Sequence, residues 1–193
     1  MKRLLLLLLL APLSAFAHEG ASLPYGSFIA GLAHPVLGVD HFLAMVSVGI
    51  LSAQIGGRAI WTVPATFVTV MALGGVLGWL NVGLTSVELG IAFSVLILGT
   101  AIAADRKLPV LVAMGAVAVF AVFHGYAHGS EMPTVANGLR YAAGFMTGTA
   151  TLHIAGLLVG DISQHYARGK VLLRVGGAAI AGIGTWFLVG LAS

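Results

Sequence analysis

Imidazole and carboxylate groups interrupt an apolar stretch near the start of the chain, in His34-Pro-Val-Leu-Gly-Val-Asp40-His41. An ionisable side chain inside a membrane span is costly unless it faces protein or water, so such residues indicate function. In an unbroken helix, His34 and His41 would share a face about 10 Å apart along the axis, too far to bind one ion. Pro35 disfavours a helical conformation at His34, and Gly38 permits a break. The segment is therefore either bent so that these groups converge, or its groups form two separate binding stations along the path of an ion.

A second group of the same kind ends a later apolar stretch, in His124-Gly-Tyr-Ala-His128-Gly-Ser-Glu131. His124 and His128 are four residues apart and so lie on one helix face, and Glu131 follows on the same stripe. Two imidazoles at this spacing with a carboxylate are typical of a divalent-metal site. The segment is not His-Glu-x-x-His, so the zinc-protease signature is absent.

Two further ionisable residues stand alone in apolar surroundings. Glu88 is the only acid in its stretch, and it opens that stretch, where a helix dipole favours an acid whatever its function. His153 lies among Thr147, Thr149 and Thr151. A lone membrane histidine usually bonds a backbone carbonyl or a threonine, so we expect His153 to be structural.

The residue types restrict the ion. Imidazole and carboxylate without thiolate suit borderline divalent ions such as Ni²⁺, Co²⁺ or Zn²⁺. The chain has no cysteine and six scattered methionines, which argues against Cu⁺. A path for Mg²⁺ or Ca²⁺ would need more oxygen ligands and less imidazole. This chemistry does not separate nickel from cobalt or zinc.

The elements that must position these residues are membrane helices. Of the 193 residues, 59% are apolar and 8% are charged, and the mean hydropathy is +1.05. This composition excludes a soluble globular domain and intrinsic disorder, and it predicts an all-α polytopic membrane protein. Each apolar stretch is near the roughly 20 residues that a spanning helix needs. The six predicted spans are 25–53, 60–80, 86–104, 108–128, 135–160 and 171–192.

The N-terminus predicts a cleavable signal peptide. Lys2 and Arg3 precede the short apolar run 4–10, and Ala15-Phe16-Ala17 is a small-x-small cleavage site. We therefore expect a signal peptide at 1–17 and a six-helix domain at 18–193, with both ends of the mature chain external.

The loop charges predict the same orientation. Cytoplasmic breaks between spans would hold the cations Arg58, Arg106, Lys107, Arg168 and Lys170, as the positive-inside rule requires. In this topology the outer third of the membrane holds His34, Glu88, His128 and Glu131. Deeper positions hold Asp40, His41 and His124, and His153 lies nearer the cytoplasm. The sequence therefore predicts an external cation vestibule that leads inward.

Glycine is abundant, at 27 residues. Gly-x-x-x-Gly pairs such as Gly74/Gly78 and Gly144/Gly148 allow close helix packing. They are about as frequent as this glycine content produces by chance, so they favour no particular interface. Gly125 and Gly129 would keep the backbone of the second histidine segment accessible to a neighbouring helix.

The two histidine segments resemble the signatures of the HupE/UreJ family of small bacterial nickel permeases. One signature is histidine, five residues, then Asp-His, and it is matched by His34, Asp40 and His41. The other is Phe-His-Gly-x-Ala-His-Gly-x-Glu, matched in full over residues 123–131. The likeness extends over the whole chain in length, signal peptide and number of spans. Phe67 and Glu88 also look like family positions.

The resemblance implies uptake of Ni²⁺, in some members Co²⁺, across the bacterial inner (cytoplasmic) membrane for hydrogenase or urease maturation. The metal would be cargo, with no permanently bound cofactor, and the partners would be the ion and the bilayer, without nucleic acid. The expected metal-ligating residues are His34, Asp40, His41, Glu88, His124, His128 and Glu131.

Three functions remain open on the residues alone. The first is a permease, driven by facilitated diffusion or an ion gradient, because the chain has no P-loop ATP site. The second is a membrane metalloenzyme, a hydrolase or a di-iron oxygenase, that holds a catalytic metal with the same residues. The third is a metal sensor or a subunit of a larger transporter. We expect the permease and no enzymatic activity, and the oligomeric state stays open.

Overall fold

The computed structural model describes Leu23 and residues 25–193, and every regular element in that part is a helix. The predicted signal peptide at 1–17 and the expected new N-terminus at His18 lie outside the described residues. The helices are α1 (Gly26–Leu37), α2 (Val39–Ile55), α3 (Ala59–Trp79), α4 (Val87–Ala104), α5 (Val110–Ser130), α6 (Gly138–Gln164) and α7 (Ala167–Ala192).

The helices correspond closely to the predicted spans. Within the described residues, five helices, α3 to α7, are each long and apolar enough to cross a membrane. α1 and α2 pass the same test only together, and their axes meet at 81°. The protein is therefore a multi-pass membrane protein, and its described residues contain five spans, or six if the bent pair counts as one broken span.

The bend between α1 and α2 lies at Gly38, which has extended backbone angles (φ −79°, ψ 113°). Pro35 lies inside α1, and His34 is helical. The expectation that Pro35 would take His34 out of the helix is wrong. α1 is held in contact with α6, because a Cβ at Gly31 would collide with the backbone of Tyr141. The chain unwinds instead at the glycine, which loses least by leaving a helix.

Glycines bring parallel helices into backbone contact. A Cβ at Gly74 or Gly78 would collide with backbone carbonyls of α5, and one at Gly144 would collide with α1. A Cβ at Gly125 or Gly129 would likewise collide with the backbone of α3, which confirms the expected accessibility of that segment. The Gly-x-x-x-Gly pairs that composition left uninformative therefore lie at the closest helix contacts.

α2 is the central helix of the bundle. Its middle turns are buried on nearly all sides by α6, α4 and α3, and its buried residues include Ala44, Met45, Val48 and Leu51. α7 is peripheral and packs chiefly on α4, where Gly99 and Gly177 face each other. Because the central helix begins with Val39, Asp40 and His41, the bend places His41 inside the bundle and leaves Asp40 half-buried beside it.

Candidate metal centre

Four histidines from the two sequence segments lie in one cluster, which we call the histidine cluster (His34, His41, His124 and His128). The rings of His34 and His128, of His41 and His128, and of His41 and His124 each have centroids 4.7 Å apart. The centroids of His34 and His41 are 6.2 Å apart. Of the two alternatives for the first segment, convergence is confirmed, because the bend at Gly38 turns both rings toward α5.

His41 is oriented by its neighbour in the chain. Its Nδ1–H donates to Asp40 Oδ1 at 2.9 Å, and its backbone N–H donates to the same oxygen at 2.7 Å. The proton on Nδ1 leaves the lone pair on Nε2, which is buried and has no hydrogen-bond partner among the described residues. A carboxylate behind a histidine with a free second nitrogen is the usual arrangement around a metal-binding imidazole.

His124 is oriented by a serine on α4. The Ser94 hydroxyl donates to the Ile91 carbonyl at 2.6 Å, so its oxygen can accept the Nε2–H of His124 at 2.9 Å. This tautomer places the lone pair of His124 on Nδ1, which is buried without a hydrogen-bond partner in the described part of the chain.

His128 lies at the centre of the histidine cluster. Its ring stacks on Phe145, with centroids 4.9 Å apart and an interplanar angle of 15°. Neither ring nitrogen has a hydrogen-bond partner among the described residues, although the side chain is fully buried. A buried nitrogen without a partner costs about 1–3 kcal/mol. A cation bound to one of the two nitrogens of His128 would offset that cost for the nitrogen that binds it.

His34 differs from the other three because both of its nitrogens are engaged. The Tyr141 hydroxyl donates to Nδ1 at 2.9 Å, and Nε2 lies 3.4 Å from Glu131 Oε2. Glu131 follows the last residue of α5, and its contact with the His34 imidazole lowers the pKa of its carboxyl group. Glu131 is therefore a carboxylate at neutral pH, and His34 can bind a cation only by releasing one of these partners.

Two carboxylates line a cavity beside the histidine cluster. Asp40 and Glu88 both line a cavity of about 220 Å³, to which the end of α7 contributes further lining residues. The remaining lining residues are Ala92, Trp186, Phe187, Gly190 and Leu191. Glu88 thus shares this cavity with Asp40. It also lies in the first turn of α4, where the helix dipole stabilises a negative charge. Two acids in an otherwise apolar cavity would attract a cation.

The predicted ligands do not form a finished coordination sphere. Among the described residues, no three His, Asp or Glu side chains converge closely enough to hold one metal ion. The structure nevertheless brings six of the seven together around the histidine cluster and places Glu88 across the cavity from Asp40. Side-chain rotations would be needed to turn the free nitrogens of His41, His124 and His128 toward one ion.

Sequence reasoning missed the residues that orient the histidines. Tyr141 was not singled out, and Ser94 was not considered. Both are ordinary residues in apolar helices, and both act across long separations in the chain, 107 residues for Tyr141 and 30 for Ser94. The available sequence signal for Tyr141 was that a phenol, which needs a hydrogen-bond partner, lies inside the predicted apolar span 135–160.

The hydrogen bond to a carbonyl or a threonine that we expect for His153 is not formed among the described residues. The side chain is 2% exposed, yet neither ring nitrogen hydrogen-bonds a carbonyl or a threonine among the described residues. The neighbouring hydroxyls are committed elsewhere or face away, since Thr149 donates to Met71 Sδ at 3.7 Å and Thr151 donates to the Thr147 carbonyl. Instead, the His153 ring meets the edge of Phe67, with centroids 5.2 Å apart.

Comparisons with known proteins give one family. The family model described as "HupE / UreJ protein" matches residues 5–187. The chain is 44% identical over 179 residues to "Protein HupE" of Rhizobium leguminosarum bv. viciae, and the match covers 92% of this chain and 93% of that protein. No solved structure matches the chain.

Proposed function

Because the chain belongs to the HupE/UreJ family, a transporter-type family, we propose that it is a permease for Ni²⁺, with Co²⁺ as a second substrate. The ion would cross the bacterial inner membrane and supply hydrogenase or urease maturation. The observation that carries the proposal is the set of buried, unpartnered nitrogens in the histidine cluster: Nε2 of His41, Nδ1 of His124 and both nitrogens of His128.

The donor set suits the ion. Imidazole nitrogen with nearby carboxylates is favourable for borderline divalent metals, and the chain offers no thiolate. A transport site must bind an ion and then release it. The contact between His34 and Glu131 suits this requirement, because an ion could displace it on binding and it could form again on release.

The route into the site begins at the carboxylates. The cavity between Asp40 and Glu88 would collect the cation and present it to the unpartnered nitrogen of His41. His34 also contacts His128, and it would exchange its contact with Glu131 for the ion. The ion would thus replace its water ligands one at a time along a row of protein donors.

The orientation follows from charge. The loops and first helical turns at one end of the bundle hold Arg58, Arg106, Lys107, Arg168 and Lys170, and the histidine cluster lies toward the other end. The positive-inside rule then places the histidine cluster on the outer side, and the expected signal peptide at 1–17 agrees with that topology. The permease would import the ion.

The test is uptake of radioactive nickel by bacterial cells that lack other nickel transporters. We expect His128→Ala and Asp40→Asn to lose at least nine-tenths of the uptake, while immunoblots of membranes show normal insertion. His165→Ala is the matched control, because His165 is exposed and bonds the carbonyl of Asp161 outside the histidine cluster. Unchanged uptake in both site variants would contradict the proposal.

Competition and metal content then separate the alternatives. Excess Co²⁺ should inhibit nickel uptake more strongly than excess Zn²⁺, and an uncoupler distinguishes facilitated diffusion from coupling to an ion gradient. The purified protein should hold nickel that exchanges within minutes. A tightly retained, stoichiometric metal with no uptake would instead identify a membrane metalloenzyme.

A further inference from the structure

His153 is a buried ionisable residue that does not belong to the histidine cluster. It lies on α6, contributes to none of the contacts within the cluster, and leaves two nitrogens without partners among the described residues. A buried imidazole in this condition loses its hydrogen bonds to water without replacement, which is unfavourable. Nothing in its packing among the described residues requires an imidazole, because its aromatic neighbour Phe67 would pack equally well against an apolar side chain.

A stripe of buried residues on α6 leads from the histidine cluster to His153. Tyr141 bonds His34, Phe145 stacks on His128, and Thr149 follows one turn later with its hydroxyl on Met71 Sδ. His153 is the next residue at the same spacing of four. At about 1.5 Å per residue, His153 lies about 18 Å along the axis from Tyr141. The same helix face that orients the outer histidines therefore carries His153 deeper into the bundle.

Phe67 contacts both His153 and the histidine cluster. Its ring centroid lies 5.6 Å from that of His124 and 5.2 Å from that of His153, and the side chain is fully buried. His124 is one helical turn deeper than His128, since α5 ends at Ser130. An ion leaving His124 toward His153 would meet the aromatic ring, which carries no lone pair on nitrogen or oxygen to replace a water ligand.

We propose that His153 is a second binding station for a divalent cation, reached from the histidine cluster when the ring of Phe67 turns aside. This inference rests on the proposed permease function and assigns its inner site. Phe67 acts as an apolar gate between two imidazole stations, and the sulfur of Met71 and the hydroxyl of Thr149 lie one turn before His153 as weaker donors. Two stations separated by a gate would allow the ion to leave one site before the other becomes accessible.

The inference is tested on the purified full chain and in cells. We expect His153→Ala to lower nickel uptake at least tenfold while the purified variant still binds Ni²⁺ within threefold of the parent affinity, since the histidine cluster is untouched. Binding is measured by equilibrium dialysis with Ni²⁺ alone, and His165→Ala serves as the control for a lost imidazole. Uptake equal to that of the control would overturn the inference.

A second variant separates a binding role from a structural one. The chain has no cysteine, so His153→Cys introduces one thiolate, which prefers softer ions such as Cd²⁺. We expect this variant to keep measurable nickel uptake and to become at least fivefold more sensitive to competing Cd²⁺. A competition profile identical to that of the parent, or loss of folded protein in both variants, would show that His153 is structural and would overturn the inference. Absence of uptake by the parent protein would instead contradict the permease function itself.

Discussion

The chemistry of the histidine cluster depends on which nitrogens carry protons, and three neighbours decide this. Asp40 accepts a hydrogen bond from Nδ1–H of His41, and Ser94 accepts one from Nε2–H of His124. Tyr141 donates a hydrogen bond to Nδ1 of His34. Each partner frees or occupies a specific nitrogen. His41 and His124 are thereby set to bind a cation, and His34 is set to hold Glu131 until a cation displaces it.

Ser94 provides a test of this tautomer assignment. Ser94→Ala removes the acceptor for the Nε2–H of His124, so the ring is no longer held with its lone pair on Nδ1. Loss of such an orienting partner typically lowers metal affinity or activity 10–100-fold. We expect a fall of about tenfold in nickel uptake at low concentration, measured in cells.

The matched control for Ser94 is Thr100→Ala, on the same helix. The Thr100 hydroxyl is exposed and bonds only the carbonyl of Leu96. We expect its uptake to stay within a factor of two of the parent. If Ser94→Ala behaves like Thr100→Ala, the orientation of His124 does not depend on Ser94.

The residue types of this site were predictable from sequence, and their partners were not. Ionisable groups in apolar stretches are rare enough to single out His34, Asp40, His128 and the other predicted ligands by composition alone. Tyr141 and Ser94 carry no such signal, because hydroxyl-bearing residues are common in membrane helices and their partners lie in other spans.

At the scale of the elements, the bend at Gly38 determines whether a site exists. The axes of α1 and α2 diverge by 81°, and without that change of direction His34 and His41 would lie about 10 Å apart along one helix. Hydropathy correctly predicted an apolar stretch here, but it contains no information on the angle between its two halves. The sequence did identify Gly38 as a possible break, and the position of the break at Gly38 rather than at His34 depends on the contact of α1 with α6.

Gly38→Ala tests the bend. A Cβ at this position would lie 3.1 Å from Asp40 Oδ1 and 3.4 Å from His41 Nδ1, so the carboxylate and imidazole would have to shift. Alanine also favours a continuous helix by about 1 kcal/mol relative to glycine. Both effects act against the bend at Gly38 and against the observed positions of the Asp40 and His41 side chains. We expect nickel uptake to fall about fivefold or more while the protein still inserts into the membrane.

Gly115→Ala is the control for this substitution. Gly115 lies in α5, and an added Cβ there would meet nothing within 4 Å. Because alanine is the better helix former, this variant should be as stable as the parent or slightly more stable in a thermal melt in detergent. Equal uptake by Gly38→Ala and Gly115→Ala would mean that the geometry of the bend is not needed.

At the scale of the whole molecule, the histidine cluster with its carboxylates lies at one end of the bundle, and the cations that flank the helices lie at the other. α3 and α5 lie side by side and run in the same direction, so Arg58 and Arg106 precede them at one end. Asn81 and Glu131 follow the same two helices at the other end. This segregation was predictable from the sequence, because it depends only on the number of spans and the loop charges. The close packing of α3 on α5 was not, because the glycine pairs gave no signal above chance.

The absence of cysteine permits a direct test of topology. We expect Asn81→Cys to react in intact cells with a thiol reagent that does not cross membranes, and Arg106→Cys to react only after the cells are permeabilised. The unmodified chain, which has no thiol, gives the background. The reverse pattern would show that the histidine cluster faces the cytoplasm, and it would contradict the direction proposed for transport.

The most direct measurement for the account is the entry of Ni²⁺ into sealed vesicles that contain only the purified protein and a trapped metal indicator. The proposed permease function predicts a protein-dependent influx that falls at least tenfold in His128→Ala and stays within a factor of two in His165→Ala. It would be contradicted by vesicles whose influx equals that of protein-free vesicles, or by influx through His128→Ala at the rate of the parent protein.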